Sequence, residues 1–283
     1  MLSRRRARRA RRSLFTARLQ GGRLSTSARS SPRQSRSQTR RRATSLHIHQ
    51  CKVQKVQGEV FENSQKNLDK TLEIANIDIH IKWSYDKIKE TSFYQNNKKL
   101  LDIELGYGYW SWKPYIILDQ LKKINEDDML IYMDASRYET DGFKNSCLGV
   151  IDFMKKNNID LLPGFETNYK NYQMIKNSCL DFFNLNNEEF KNINNIFTSP
   201  MFLKKTDFNM NFLNEWMVNC LIEENVSYQD LSNIGGKMHI YDQAVLNCLL
   251  YKYNIKHFRA DTFNENEFRK YTYYFNFFYK LYK

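Results

Sequence analysis

Met129-Leu130-Ile131-Tyr132-Met133 is an almost wholly apolar run that ends at Asp134 and follows the polar turn Asn125-Glu126-Asp127-Asp128. A strand of that kind is buried on both faces, so the sheet containing it needs cover on each side. The neighbouring sequence supplies helices. Ile116, Ile117, Leu121 and Ile124 recur at helical spacing behind Lys113-Pro114, and proline suits a first turn because its missing N–H would be unpaired there anyway. HIHQCKV and IDIHIKW read as strands, separated by a helix over Phe61 to Asn76 that turns Leu68, Leu72 and Ile74 to the core. The pattern further predicts helices over 146–156, 212–221 and 242–253 and strands over 159–162 and 254–258. Alternation of this sort gives an α/β domain with a mainly parallel sheet, whose ligands gather beyond the carboxyl ends of the strands.

Charge divides the chain in two. Of its 44 Lys and Arg residues, fifteen are arginines within residues 1–45, a stretch with no acid, which leaves 29 basic residues against 31 acidic ones in 46–283. The body is thus close to neutral, which argues against a nucleic-acid partner for it. The Arg- and Ser-rich head has the composition of an organellar presequence, of a disordered nucleic-acid-binding arm, or of a non-native start. A domain boundary is expected near Ser45, with a single domain over 46–283. Location follows as cytoplasmic, or as mitochondrion or plastid if the head is a presequence.

Five cysteines, an odd number without CxxC spacing, point away from a disulfide framework or a zinc site and toward a reducing compartment. No apolar run approaches the roughly 18 residues of a membrane helix, so a protein without a transmembrane segment is expected.

The carboxylate that closes the 129–134 strand has two readings. It can shape an Asx-type turn before Ser136. It can also bind a metal, since Asp134 and the Ser136 hydroxyl, two residues apart, lie on the same side of an extended chain and suit a hard cation such as Mn²⁺ or Mg²⁺.

GYGYWSWKPYIILDQL followed by DMLIYMDAS resembles a bacterial-type glycosyltransferase family with a Gly-Tyr-Trp-x-Trp-Lys-Pro-Tyr-Ile-Ile stretch ahead of a strand ending Tyr-x-Asp-Ala-Gly. SPMFLKKTDFNMNFLNEWM and HIYDQAVLNCLLYKYNI are similar to its downstream pattern, so the likeness runs over roughly residues 47–270. The resemblance implies a nucleotide-diphospho-sugar transferase superfamily member with a GT-A-like fold. Its activity would be metal-dependent transfer of a sugar from a nucleotide-sugar donor to a glycan or glycolipid acceptor, often for surface polysaccharide. Donor binding would fall to Trp110, Trp112, Lys113, Asp134 and Gln243, the aromatics stacking and the lysine meeting the phosphates. At i and i+2 the two tryptophans cannot share a helical face, so one is expected to be buried and the other to line the cleft. Metal binding would fall to Asp134, Ser136 and His239, and catalysis to Asp242, as base or acceptor-orienting group, with His239.

The chain departs from the family at Ser136, at Tyr241, where a second His is frequent, and over Asn168–Tyr172, which keeps a lysine but lacks an acid. Those departures fit an alternative, a nucleotide-sugar- or glycan-binding protein of the same fold without turnover. A further alternative is an organellar nucleic-acid-binding protein acting through the basic head.

Overall fold

The computed structural model describes residues 46–52, 79–126, 128–134 and 143–255. The Arg-rich head, the helix expected over 61–76, and Ser136 lie outside them. In chain order the main elements are β1 (Leu46–Lys52), β2 (Ile79–Ser84), α1 (Lys113–Lys123), β3 (Met129–Asp134), α2 (Phe143–Lys156), β4 (Leu161–Leu162), β5 (Glu166–Lys170), β6 (Asn194–Ile196), β7 (Met201–Lys204), α3 (Asp207–Cys220) and α4 (Tyr241–Lys252). Short helical turns fill much of the remainder.

Five strands form one sheet in the order β2-β1-β3-β7-β4, and β5 pairs with β6 apart from it. β2, β1 and β3 are parallel, whereas β7 runs antiparallel to both β3 and β4. The fold is α/β as expected, but its sheet is mixed: β7, a four-residue strand absent from the expectation, reverses two of the four pairings. The strand expected over 159–162 contracts to Leu161–Leu162. That expected over 254–258 does not begin where predicted, because Asn254 has φ +49 and closes α4 in the left-handed region.

Strand order locates the place where a ligand would gather. The chain passes from β1 out to β2 and then back across β1 to β3, so the direction of winding reverses between β1 and β3. In open α/β sheets the crevice at such a reversal, beyond the carboxyl ends, is the ligand position. In-register pairing sets Cys51 opposite Asp134 there.

The pleat of β3 decides which elements meet Asp134. Leu130 and Tyr132 lie in the main core with Trp112, Ile116, Ile117 and Leu121 of the α1 region, Phe212, Leu213 and Trp216 of α3, and Val245, Leu246 and Leu249 of α4. Met129, Ile131 and Met133 alternate to the other face and are buried as well. Asp134 is on the Leu130–Tyr132 side, and so points toward the layer containing α1 and α4.

The termini of these helices are fixed by specific groups. Thr206 Oγ1 accepts the Asn209 N–H at 3.1 Å, which starts α3 earlier than its apolar periodicity indicates. Lys205 Nζ donates to the carbonyls of Lys122 and Ile124 at 2.9 and 2.8 Å, closing α1.

Candidate functional site

The segment before α1 is a left-handed turn. Gly106, Tyr107, Gly108, Tyr109 and Trp110 have φ of +60, +51, +81, +56 and +60. Glycine visits that region freely, whereas an aromatic residue there costs roughly 1–2 kcal/mol. Both glycines are required by space as well. A Cβ on Gly106 would lie 2.5 Å from the Trp110 indole, and one on Gly108 would lie 2.8 Å from the Leu100 carbonyl oxygen. The turn is held by Tyr109 N–H to Leu105 O at 2.8 Å and Gly108 N–H to Ile103 O at 2.9 Å.

The two tryptophans separate. Trp112 is buried and donates from Nε1 to Gly106 O at 2.9 Å, locking the turn to the start of α1. Trp110 stays half-buried with its ring 4.9 Å from that of Tyr241. Only Trp110 is therefore placed to meet a ligand.

Lys113, the first residue of α1, aims its ammonium between two carboxylates. Its Nζ is 3.5 Å from Asp134 Oδ1 and 3.6 Å from Asp242 Oδ2. A cation at a helix N-terminus opposes the helix dipole, and the two acids offset this. Exposure falls along the line: the side chains of Asp134, Lys113 and Asp242 are 24%, 9% and 4% exposed. Asp134 is thus the outward member, with Asp242 behind the lysine.

Asp134 is further oriented by Tyr132, whose hydroxyl donates to Oδ1 at 2.5 Å, and its backbone N–H donates to Ser199 Oγ at 2.9 Å. Asp242 sits in the first turn of α4, its carbonyl accepting from Trp216 Nε1 at 3.0 Å. Its Oδ2 accepts no hydrogen bond. Burial raises its carboxyl to about 7; the Lys113 charge pulls it down and Asp134 pushes it up, so burial prevails.

The metal-ligand and catalytic roles expected of His239 are not open to it. The ring is fully buried, Nδ1 accepts the Lys176 N–H at 3.3 Å, and Nε2 therefore bears the proton donated to Asn225 O at 2.8 Å. Both nitrogens are spent on backbone. Burial, followed by the Lys176 charge, lowers its pKa to about 3, which keeps it neutral. Lys176 is in turn anchored on Ser227 O and Oγ at 3.0 and 2.8 Å. His239 pins three segments together.

Gln243 is likewise turned inward, away from the donor role expected of it. It donates to Asn195 Oδ1 at 2.7 Å, Asn195 donates to Asn171 Oδ1 at 2.9 Å, and Asn171 donates to Phe190 O at 3.1 Å. Asn247 adds two bonds to the Ile196 backbone, at 2.7 and 2.9 Å. This buried amide chain ties α4 to β6 and consumes the Asn171 side chain, within the stretch that lacks the family's acid. A cavity of about 480 Å³ at the far end of α4, lined in part by Phe190, Asn247 and Tyr251, contains none of the expected site residues.

A divalent cation needs several ligand groups converging on one point. Among the described residues no group of three His, Cys, Asp or Glu side chains could hold one. Asp134 faces an ammonium, which already neutralises it, and His239 has no lone pair to offer. Asp134 and His239 thus do not come together as the metal site that the resemblance implies, and Ser136, its third expected member, lies outside the described residues.

Tyr109 and Tyr241 are not among the expected site residues, Tyr241 standing there only as a departure from the family pattern. Their rings lie 5.9 Å apart at 12°, and Tyr241 also has φ +54. The Gly-Tyr-Gly-Tyr spacing was the available signal, since alternating glycines mark a left-handed path.

No family model matches the chain, and no curated protein matches it. Among solved structures, the apo form of mouse xyloside xylosyltransferase 1 aligns over 83% of this chain and 94% of that chain, with 7% identity and a TM-score of 0.43, a likeness too distant to assign fold or activity.

Proposed function

We propose that the chain is a glycosyltransferase of GT-A-like fold, moving a sugar from a nucleotide-sugar donor to a glycan or glycolipid acceptor. The observation that carries this reading is the line Asp134–Lys113–Asp242 at the carboxyl end of β3, where the strand order reverses. The resemblance of the Trp-Lys-Pro and Asp-Gln blocks supports it, because those blocks supply Lys113 and Asp242. Asp134 is the member that meets substrate, accepting a hydrogen bond from a sugar hydroxyl. Lys113 orients it and offers positive charge where the leaving diphosphate becomes more negative. Asp242 is a positioning residue: near neutrality it takes up a proton, and the Lys113 charge is then committed to Asp134 and to whatever docks beside it.

No step in this reading passes through a divalent cation. The test is a panel of nucleotide sugars assayed for hydrolysis and transfer, with Mn²⁺ and with chelator. Asp134→Asn should lower turnover by about 10²-fold or more, the usual loss for a transition-state contact, with an unchanged circular dichroism spectrum. Full activity in that variant refutes the assignment. A second reading, a binding protein without turnover, is favoured by the ammonium that already occupies both carboxylates. Binding of a nucleotide sugar with no product across the panel would establish it.

A further inference from the structure

The half-buried rings of Tyr109, Trp110 and Tyr241 come together from segments far apart in the chain. Trp110 accepts the Lys113 N–H on its carbonyl at 3.0 Å, and Tyr241 immediately precedes Asp242, so the aromatic group and the ions share their backbone supports. All three residues are left-handed. Backbone strain at bulky residues persists where the surroundings over-determine it, and such places cluster at ligand sites. We propose that Tyr109, Trp110 and Tyr241 form a subsite for a pyranose ring.

The chemistry selects a sugar over a nucleobase. A base stacks on parallel planes; Tyr109 and Tyr241 lie within 12° of each other, but Trp110 is inclined by 43° to Tyr241, so the three rings together make a bent surface. A puckered pyranose offers C–H groups to such rings and hydroxyls to their polar edge. Tyr109 and Tyr241, both half-buried, carry the hydroxyls that would form that edge. The subsite stands apart from turnover, because a sugar ring would dock here in an enzyme or in a binding protein.

The experiment is saturation-transfer NMR on the full chain with the methyl glycosides of glucose, galactose, mannose, xylose and N-acetylglucosamine, and in separate samples UDP and GDP. At least one glycoside should receive saturation at its ring C–H groups. Tyr241→Gly deletes the ring while glycine adopts the left-handed backbone without steric strain, so the domain should stay folded while the affinity falls about 10-fold or more, the loss expected of a stacking partner. Tyr109→Ala should act alike. Absence of saturation with every glycoside overturns the proposal, as does affinity unchanged in a folded Tyr241→Gly protein. Loss of UDP or GDP binding in that variant, with glycosides silent, assigns the rings to a nucleobase and also overturns it. Glycoside binding without any transfer sinks only the transferase reading, and transfer unaffected by Tyr241→Gly sinks only the subsite.

Discussion

Replacing Asp242 by Asn should change how stability depends on pH, by an amount the structure sets. The folded protein holds the Asp242 carboxyl at about 7 against an ordinary 3.8. Because the folded value is raised, the native state keeps a proton between these pH values that the unfolded chain has lost. The stabilisation is complete below pH 3.8 and disappears as pH rises through 7. His239 acts in the opposite sense: held at about 3 against an ordinary 6.5, it costs stability as pH falls below 6.5. In the wild type the two slopes oppose each other over the shared interval, and neither is visible. In the difference between wild type and Asp242→Asn the histidine cancels. The variant should gain on the wild type by about 1.4 kcal/mol per pH unit over roughly pH 4.5–6.5, and by about 4 kcal/mol in all between pH 4 and 8. In a domain of this size that widens the gap in Tm by on the order of 10 °C. Urea unfolding and thermal scans of both proteins across that range measure it. A gap independent of pH would mean that Asp242 ionises as it does in water, and would refute the buried line of charges.

Lys113→Met leaves two carboxylates around an apolar stem and should cost about 3–5 kcal/mol in urea unfolding, with part of the loss restored in a Lys113→Met, Asp242→Asn double variant. His239→Ala should destabilise by about 2–4 kcal/mol, since it opens a cavity and orphans the Lys176 N–H and the Asn225 carbonyl, while Mn²⁺ leaves the Tm of wild type and variant alike unmoved. Gly108→Ala, which meets the Leu100 carbonyl, should lower Tm more than Gly235→Ala, where nothing lies within 4 Å and the added Cβ meets only the left-handed φ of +78.

Much of the frame was legible because it depends on short-range pattern. The β3 run, the Lys113-Pro114 helix start and α4 all lie within about a residue of where periodicity places them. β7 was not legible: Met201-Phe202-Leu203-Lys204 is too short to show a period, and its direction is set by pairing with β3. The separation of the tryptophans follows from their spacing, but which one is buried depends on the Gly106 carbonyl that Trp112 reaches. His239 shows the opposite limit. Its residue type suggested a ligand, while its role is decided by the backbones of Lys176 and Asn225, distant in sequence and unmarked by composition.

The amide chain behind the site has a direction. From Gln243 through Asn195 and Asn171 to the Phe190 carbonyl, every donor nitrogen points the same way, so the middle position must give one hydrogen bond and take one at the same time. Aspartate cannot give, leucine can do neither, and serine is too short to span both neighbours. Position 195 therefore admits almost no conservative replacement, although nothing in its local sequence marks it out.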